Sequence, residues 1–217
     1  LREPHQMSLE TEDMTMLKFT MTPDAFVDMV LAIDLCPVEI SGLGTVEKHK
    51  GERRITDIIL FPQECSGGGT EFDSYDPQSF RRYWSRLIQE GRAQETNNKR
   101  LWWHSHVRGA AYFSGTDRWN IEEFGSAAAD GEEFNPWLIS IVGNKMRHFG
   151  LRLDIFHPTR QTYCKLQLEL LEIEKLRELY RSRQERMQKL INQFVRILPP
   201  SRLRGVSEKR DRGEKNE

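Results

Sequence analysis

The sequence predicts an α/β (α+β) domain that ends in a long C-terminal helix. Three observations carry this. Stretches of alternating and of helical apolar spacing follow one another along the chain. Two of the helical stretches begin with a proline behind a capping residue, Thr22-Pro23 and Asp76-Pro77. Residues 160–198 carry an apolar repeat of seven.

Residues 16–21, MLKFTM, read as a strand. The helix after it is capped by Thr22 and shows Phe26, Val27, Val30 and Leu31 at helical spacing. VEISGLGTVE and RITDIILFP read as two strands joined by the turn KHKG. A Gly/Ser-rich loop, QECSGGGTEFDSY, leads to a second helix that Gly91 ends. RLWWHSHV is a strand, SGTDRWN opens a helix, and PWLISIVG with HFGLRLDIFH reads as a hairpin. From 160 to 198 one long helix is expected. Leu166, Ile173, Tyr180, Met187 and Phe194 form a seam, flanked by Leu170, Ile191 and Leu198 and interrupted by Arg177 and Gln184. Its first half is expected to pack on the domain's own sheet, and the rest to meet a partner helix in a homodimer or a complex. The resulting organisation is a flexible N-terminus (1–15), a catalytic domain (16–160), the helix (161–198) and a disordered charged tail (199–217).

Composition narrows the function classes. The chain has 217 residues, 37% apolar and 30% charged, with a net charge of −1. Nothing in that balance steers it to nucleic acid or to an anionic membrane, and no apolar run is long enough to span a bilayer. The three cysteines, Cys36, Cys65 and Cys164, form no disulfide framework. With no signal peptide visible, a reducing, cytoplasmic setting is expected.

The stretch HSHVRGAAYFSGTD, 104–117, concentrates the chemistry. On a strand, His104 and His106 share a face and Ser105 takes the other. Ser114 can cap the next helix, which puts Asp117 at its third position. Two imidazoles and a carboxylate make a three-ligand zinc site with a fourth position open, the arrangement of catalytic rather than structural zinc. Each half alone would read as a solvated strand face or a capping box. The two together favour a metal.

His-x-His, seven residues, Ser, two residues and Asp resembles the motif of the JAMM (MPN+, JAB-domain) zinc metalloproteases in type and spacing. That family also carries an upstream Glu-x-x-Gly, which EISG supplies here with Glu39 about 65 residues before the histidines. The likeness covers roughly residues 16–157 and extends to the order of the elements. Many eukaryotic members have proline after the second histidine. This chain has Val107-Arg108-Gly109, as expected of a divergent or prokaryotic-type member. The resemblance implies an MPN/JAB-like (cytidine deaminase-like) central mixed sheet flanked by helices, and one catalytic Zn2+ on His104, His106 and Asp117. Glu39 is then the general base, and Ser114 helps stabilise the oxyanion. The implied reaction is hydrolysis after the C-terminal tail of ubiquitin or a ubiquitin-like protein, in deconjugation or precursor processing.

The loop with Cys65, Gly67, Gly68, Gly69 and Phe72 lies where family members carry an insertion over the substrate tail. It reads equally as such a flap and as a plain connector. His148, His157 and Cys164 match no second zinc pattern and read as strand and turn residues. Two alternatives stand beside the protease: a non-catalytic MPN scaffold, against which the full ligand set argues, and a nucleic-acid-linked JAB member, against which the neutral charge argues.

Overall fold

The computed structural model describes residues 17–199 apart from 51, 67–68, 73–75, 77, 130–136 and 158, and gives the backbone alone for 71, 72 and 125–129. Strand β1 (Leu17–Met21) runs into helix α1 (Pro23–Leu35), which Thr22 starts by accepting the Ala25 N–H at 3.3 Å. Strands β2 (Ser41–His49) and β3 (Glu52–Ile59) pair antiparallel, with Lys50 in the left-handed region at their turn. Strands β4 (Gln63–Ser66) and β5 (Gly69–Phe72), helix α2 (Ser79–Gln89), strand β6 (Leu101–Ser105) and helix α3 (Gly115–Ala129) follow. Then come β7 (Trp137–Gly143), β8 (Phe149–Ile155), β9 (Gln161–Tyr163), β10 (Leu166–Leu170), helix α4 (Leu176–Phe194) and β11 (Val195–Ile197).

The main sheet is mixed and ordered β10-β1-β3-β2-β6-β7-β8-β9. Helices cover both of its faces. The alternation Trp102-Trp103 on central β6 shows how the sequence divides them. Trp103, fully buried, packs with α1, and Met187 and Ile191 bring α4 onto the same cluster. Trp102 faces the other way, with Ile121 of α3 and the aromatics of α2. Gly42 on β2 lets the Trp103 indole lie flat against the strand. A Cβ there would meet Ile59 O at 2.4 Å and the Trp103 ring at 2.7 Å.

Two expectations are corrected. The C-terminal helix is present, but it begins at Leu176, and 161–170 forms two strands. LQLEL alternates with period two, and β10 pairs parallel with β1 from Leu17↔Leu166 to Met21↔Leu170. Backbone pairing at that open sheet edge wins over the seven-residue repeat. The C-terminal segment is therefore built into the domain rather than appended to it. Tyr180, Met187 and Phe194, read as seam positions toward a partner, pack on the chain's own core. Arg183 binds Asp24 and Asp28 of α1, and Tyr180 donates to Asp34 at 2.6 Å.

The second correction concerns the Gly/Ser-rich loop. Its described part is a hairpin, with Cys65↔Thr70 and Gln63↔Phe72 paired. β11 adds parallel to β4 to complete a three-stranded sheet, β11-β4-β5. Among the described residues no helix is long and apolar enough to cross a membrane. The expected flexible 1–15 and, apart from Pro199, the expected disordered tail 199–217 lie outside the described residues.

If α4 belongs to the cooperative fold, Met187→Ala, at a site only 2% exposed, should cost about 2–5 kcal/mol in a urea melt. A loss near zero would place α4 outside it.

Candidate metal centre

β6 lies between β2 and β7, so the two histidines start from a strand paired on both edges. His104 is buried. Its ring stacks on Trp102, centroids 4.5 Å apart and planes 19° from parallel. That stack orients it, because its Nδ1 has no hydrogen-bond partner among the described residues. His106 lies one step beyond the strand and continues the ladder, its N–H donating to Gly143 O at 2.9 Å.

The chain then turns sharply through Val107, a β-branched residue at φ 30°. This is a strained conformation that only the surroundings can impose. Three hydrogen bonds impose it. Lys145 N–H donates to Val107 O at 2.8 Å, Gly109 N–H to His106 O at 2.5 Å, and the Asn144 side-chain amide to Gly109 O at 2.9 Å. Asn144 is itself 1% exposed and fixed, because its Oδ1 accepts the N–H groups of Met146 and His148, both at 3.0 Å. The turn delivers Ala110 O to His106 Nδ1 at 2.9 Å. With its proton committed to that carbonyl, Nδ1 leaves Nε2 as a bare lone pair.

Ser114 and Asp117 form a reciprocal cap at the start of α3. Asp117 N–H donates to Ser114 Oγ at 3.2 Å, and Ser114 N–H donates to Asp117 Oδ2 at 2.6 Å. The cap presses the Asp117 carboxylate against the histidines. His104 Nε2 lies 3.1 Å from His106 Nε2 and 3.2 Å from Asp117 Oδ1, and His106 Nε2 lies 3.4 Å from Asp117 Oδ2. Ligands about 2.0 Å from a tetrahedral zinc stand about 3.3 Å apart. Once the His104 Nε2 proton is displaced, donor groups at that spacing fit a small divalent cation.

The charges agree. Burial lowers the His104 pKa, against the pull of Asp117, and keeps the ring neutral as a ligand must be. Burial alone would raise Asp117, but hydrogen bonds with His104 and Ser114 hold it well below the usual carboxylate range.

Glu39 lines the same cleft, whose volume is about 530 Å³. It sits two residues before β2, where the sequence placed it within the strand. Its own N–H donates to Ser66 O at 3.0 Å. The next residue, Ile40, is clamped to the histidine strand: Ile40 N–H donates to Ser105 Oγ at 3.1 Å, and Ser105 N–H to Ile40 O at 2.9 Å. Burial, opposed by His106 and aided by Asp117, raises the Glu39 pKa to about 7.

Of the flap residues, Gly69 lines this cleft, as does its neighbour Thr70. Cys65 is fully buried, its thiol donating to Gln63 at 3.3 Å, so it belongs to the packing of the hairpin and not to a substrate surface. Gly67 and Gly68 lie outside the described residues, and Phe72 is described only as the paired end of β5. The hairpin is tied down. Buried Gln63 accepts Ser41 N–H at 3.0 Å and donates to Ser41 O at 2.8 Å, like one more strand residue. The hydroxyls of Ser41 and Thr70 are 2.8 Å apart.

Asn144, Ser105 and Gln63 escaped the sequence reading. Each acts through backbone groups distant in the chain, which no local spacing reveals. No protein-family model matches the chain, and no curated protein matches it in sequence.

Asn144→Ala should weaken divalent-metal binding about 10–100-fold, as expected for an outer-shell partner, read with Zn2+ as the probe by competition with a metallochromic chelator. Wild-type affinity would detach Asn144 from the site.

In the metal-free protein, Glu39 has a folded pKa of about 7, above its ordinary 4.5. Across that window the folded state keeps a proton that the unfolded state has lost, so stability falls as pH rises from 4.5 to about 7. Glu39→Gln should flatten that part of the profile in urea melts with chelator present. Superimposable profiles would contradict the burial argument.

Proposed function

We propose that the chain is a zinc-dependent peptidase or isopeptidase of the JAMM (MPN+) kind, acting after the C-terminal tail of ubiquitin or a ubiquitin-like protein. One observation carries the reading: two imidazole nitrogens 3.1 Å apart each face an oxygen of the Asp117 carboxylate, at 3.2 and 3.4 Å, in a cleft that also holds a half-buried glutamate. Two histidines and one carboxylate suit zinc and leave a fourth position open. Zinc bound there supplies an acidic water and polarises a carbonyl oxygen.

The chain's own residues do the rest. With its pKa near 7, the Glu39 carboxylate takes a proton from the water that attacks the scissile carbonyl carbon. It returns the proton to the leaving nitrogen as the C–N bond breaks. Ser114 Oγ accepts from Asp117 N–H, so the hydroxyl proton remains to donate to the oxygen that gains charge.

β5 is the outer strand of its sheet, and Gly69 and Thr70 bring it to the cleft wall. An extended tail can add to that edge through main-chain hydrogen bonds. The anchored hairpin favours a wall already in place rather than a loop that orders on binding. The complete ligand set with Glu39 favours catalysis over a scaffold. The free thiols of Cys36, Cys65 and Cys164 suit a reducing, cytoplasmic setting.

Glu39→Gln keeps the shape and loses the base. Zinc should remain bound and tail affinity should hold, while kcat on a ubiquitin-like fusion falls about 10²–10⁴-fold. Turnover at the wild-type rate would remove Glu39 from the mechanism, and loss of zinc with turnover would make it a ligand.

A further inference from the structure

A second groove, of about 730 Å³, adjoins the metal cleft. It lies between the turn after His106 and the edge where β8 meets β10. Tyr112 belongs to both cavities. The residue is 63% exposed, and its ring centroid is 6.1 Å from that of His106. Phe149, Leu151 and Leu166 give the groove an apolar wall.

Among the described residues, the charged side chains lining it are Arg118 and Arg152, and no carboxylate lines it. Arg152 is neutralised, its Nε and Nη2 donating to Asp154 at 2.6 and 2.7 Å. Arg118 is exposed on α3 and makes no ion pair among the described residues. Glu122, one turn further along α3, is held by Arg160 at 2.9 Å. The groove thus presents an aromatic lip, an aliphatic wall and a net positive charge.

We propose that this groove is the subsite for the polypeptide on the leaving side of the scissile bond, and that it selects a segment with an apolar side chain beside carboxylates. The inference rests on the peptidase reading above. The Tyr112 ring stands 6.1 Å from the His106 ring, and an extended chain advances about 3.3 Å per residue, so a polypeptide passing His106 reaches Tyr112 about two residues on. With the acyl tail along β5, the path past Tyr112 is left for the leaving chain. Tyrosine offers a rigid amphipathic contact there, and Arg118 supplies the charge complement that fixes which sequences are accepted.

The test uses the zinc-loaded protein and two fluorescein-labelled decapeptides, one with phenylalanine among glutamates and the other with phenylalanine among lysines. By anisotropy, the acidic peptide should bind at least about tenfold tighter. Arg118→Gln should shrink that preference and Arg118→Glu should reverse it, while Tyr112→Ala weakens both peptides. Equal binding of the two, or a preference untouched by Arg118→Glu, would overturn the proposal. The same segments placed after a ubiquitin-like tail should be cleaved with kcat/KM in the order of binding. Cleavage with no such order overturns the groove alone. Selective binding with neither fusion cleaved overturns the leaving-side role together with the peptidase reading.

Discussion

The double hydrogen bond between Ser105 and Ile40 is the constraint on which the site depends. Regular pairing of β2 with β6 ends at Ser41↔His104. One residue beyond, Ser105 serves Ile40 with both its backbone and its hydroxyl, at 2.9 and 3.1 Å. The segment entering β2 therefore cannot peel away from the histidine strand. Since side chains alternate, holding Ser105 against Ile40 fixes His104 and His106 on the opposite face, toward α3. Glu39, next to Ile40, is carried to the same cleft, and one clamp sets both the ligand face and the place of the carboxylate.

Around that clamp the molecule gathers charge in a poorly solvated place, which is stable only when each group has an answer. Asp117 has three: Ser114 N–H and the two imidazoles. His106 has the Ala110 carbonyl, delivered by a turn strained at Val107 and held by Asn144. Glu39 differs. Burial dominates its surroundings and its pKa rises to about 7 rather than falling, whereas Asp117 in the same cleft stays ionised. Two carboxylates in contrasting environments are what a division into ligand and proton carrier requires.

What the sequence made legible was local. His104 and His106 are two apart and Ser114 and Asp117 three apart, so strand and helix geometry alone bring each pair together. The strand RLWWHSHV and the Pro23 helix start were readable for the same reason. What escaped depends on distant backbone. LQLEL satisfies both a strand and one turn of a seven-residue repeat, and the free edge of β1 decides between them. Likewise the Gly/Ser-rich stretch resembles a mobile loop until β11, more than a hundred residues later, pairs with β4. Asn144 carries no signature, because its role is to satisfy backbone groups of a turn about 35 residues away.

The C-terminal segment joins these two failures into one mechanical account. β10 closes one edge of the main sheet, α4 lies on α1, and β11 pairs with β4. Leu198 N–H adds a bond to Cys65 O at 2.8 Å. The next residue, Ser66, is the acceptor for Glu39 N–H. A continuous set of backbone contacts thus runs from the docked helix through the hairpin to the catalytic candidate. The hairpin is short and rich in glycine, and a two-stranded ribbon of that kind is marginal by itself. Its third strand comes from the end of a helix anchored by Met187 and Ile191 in the core. The wall of the cleft therefore draws its rigidity from the far end of the chain.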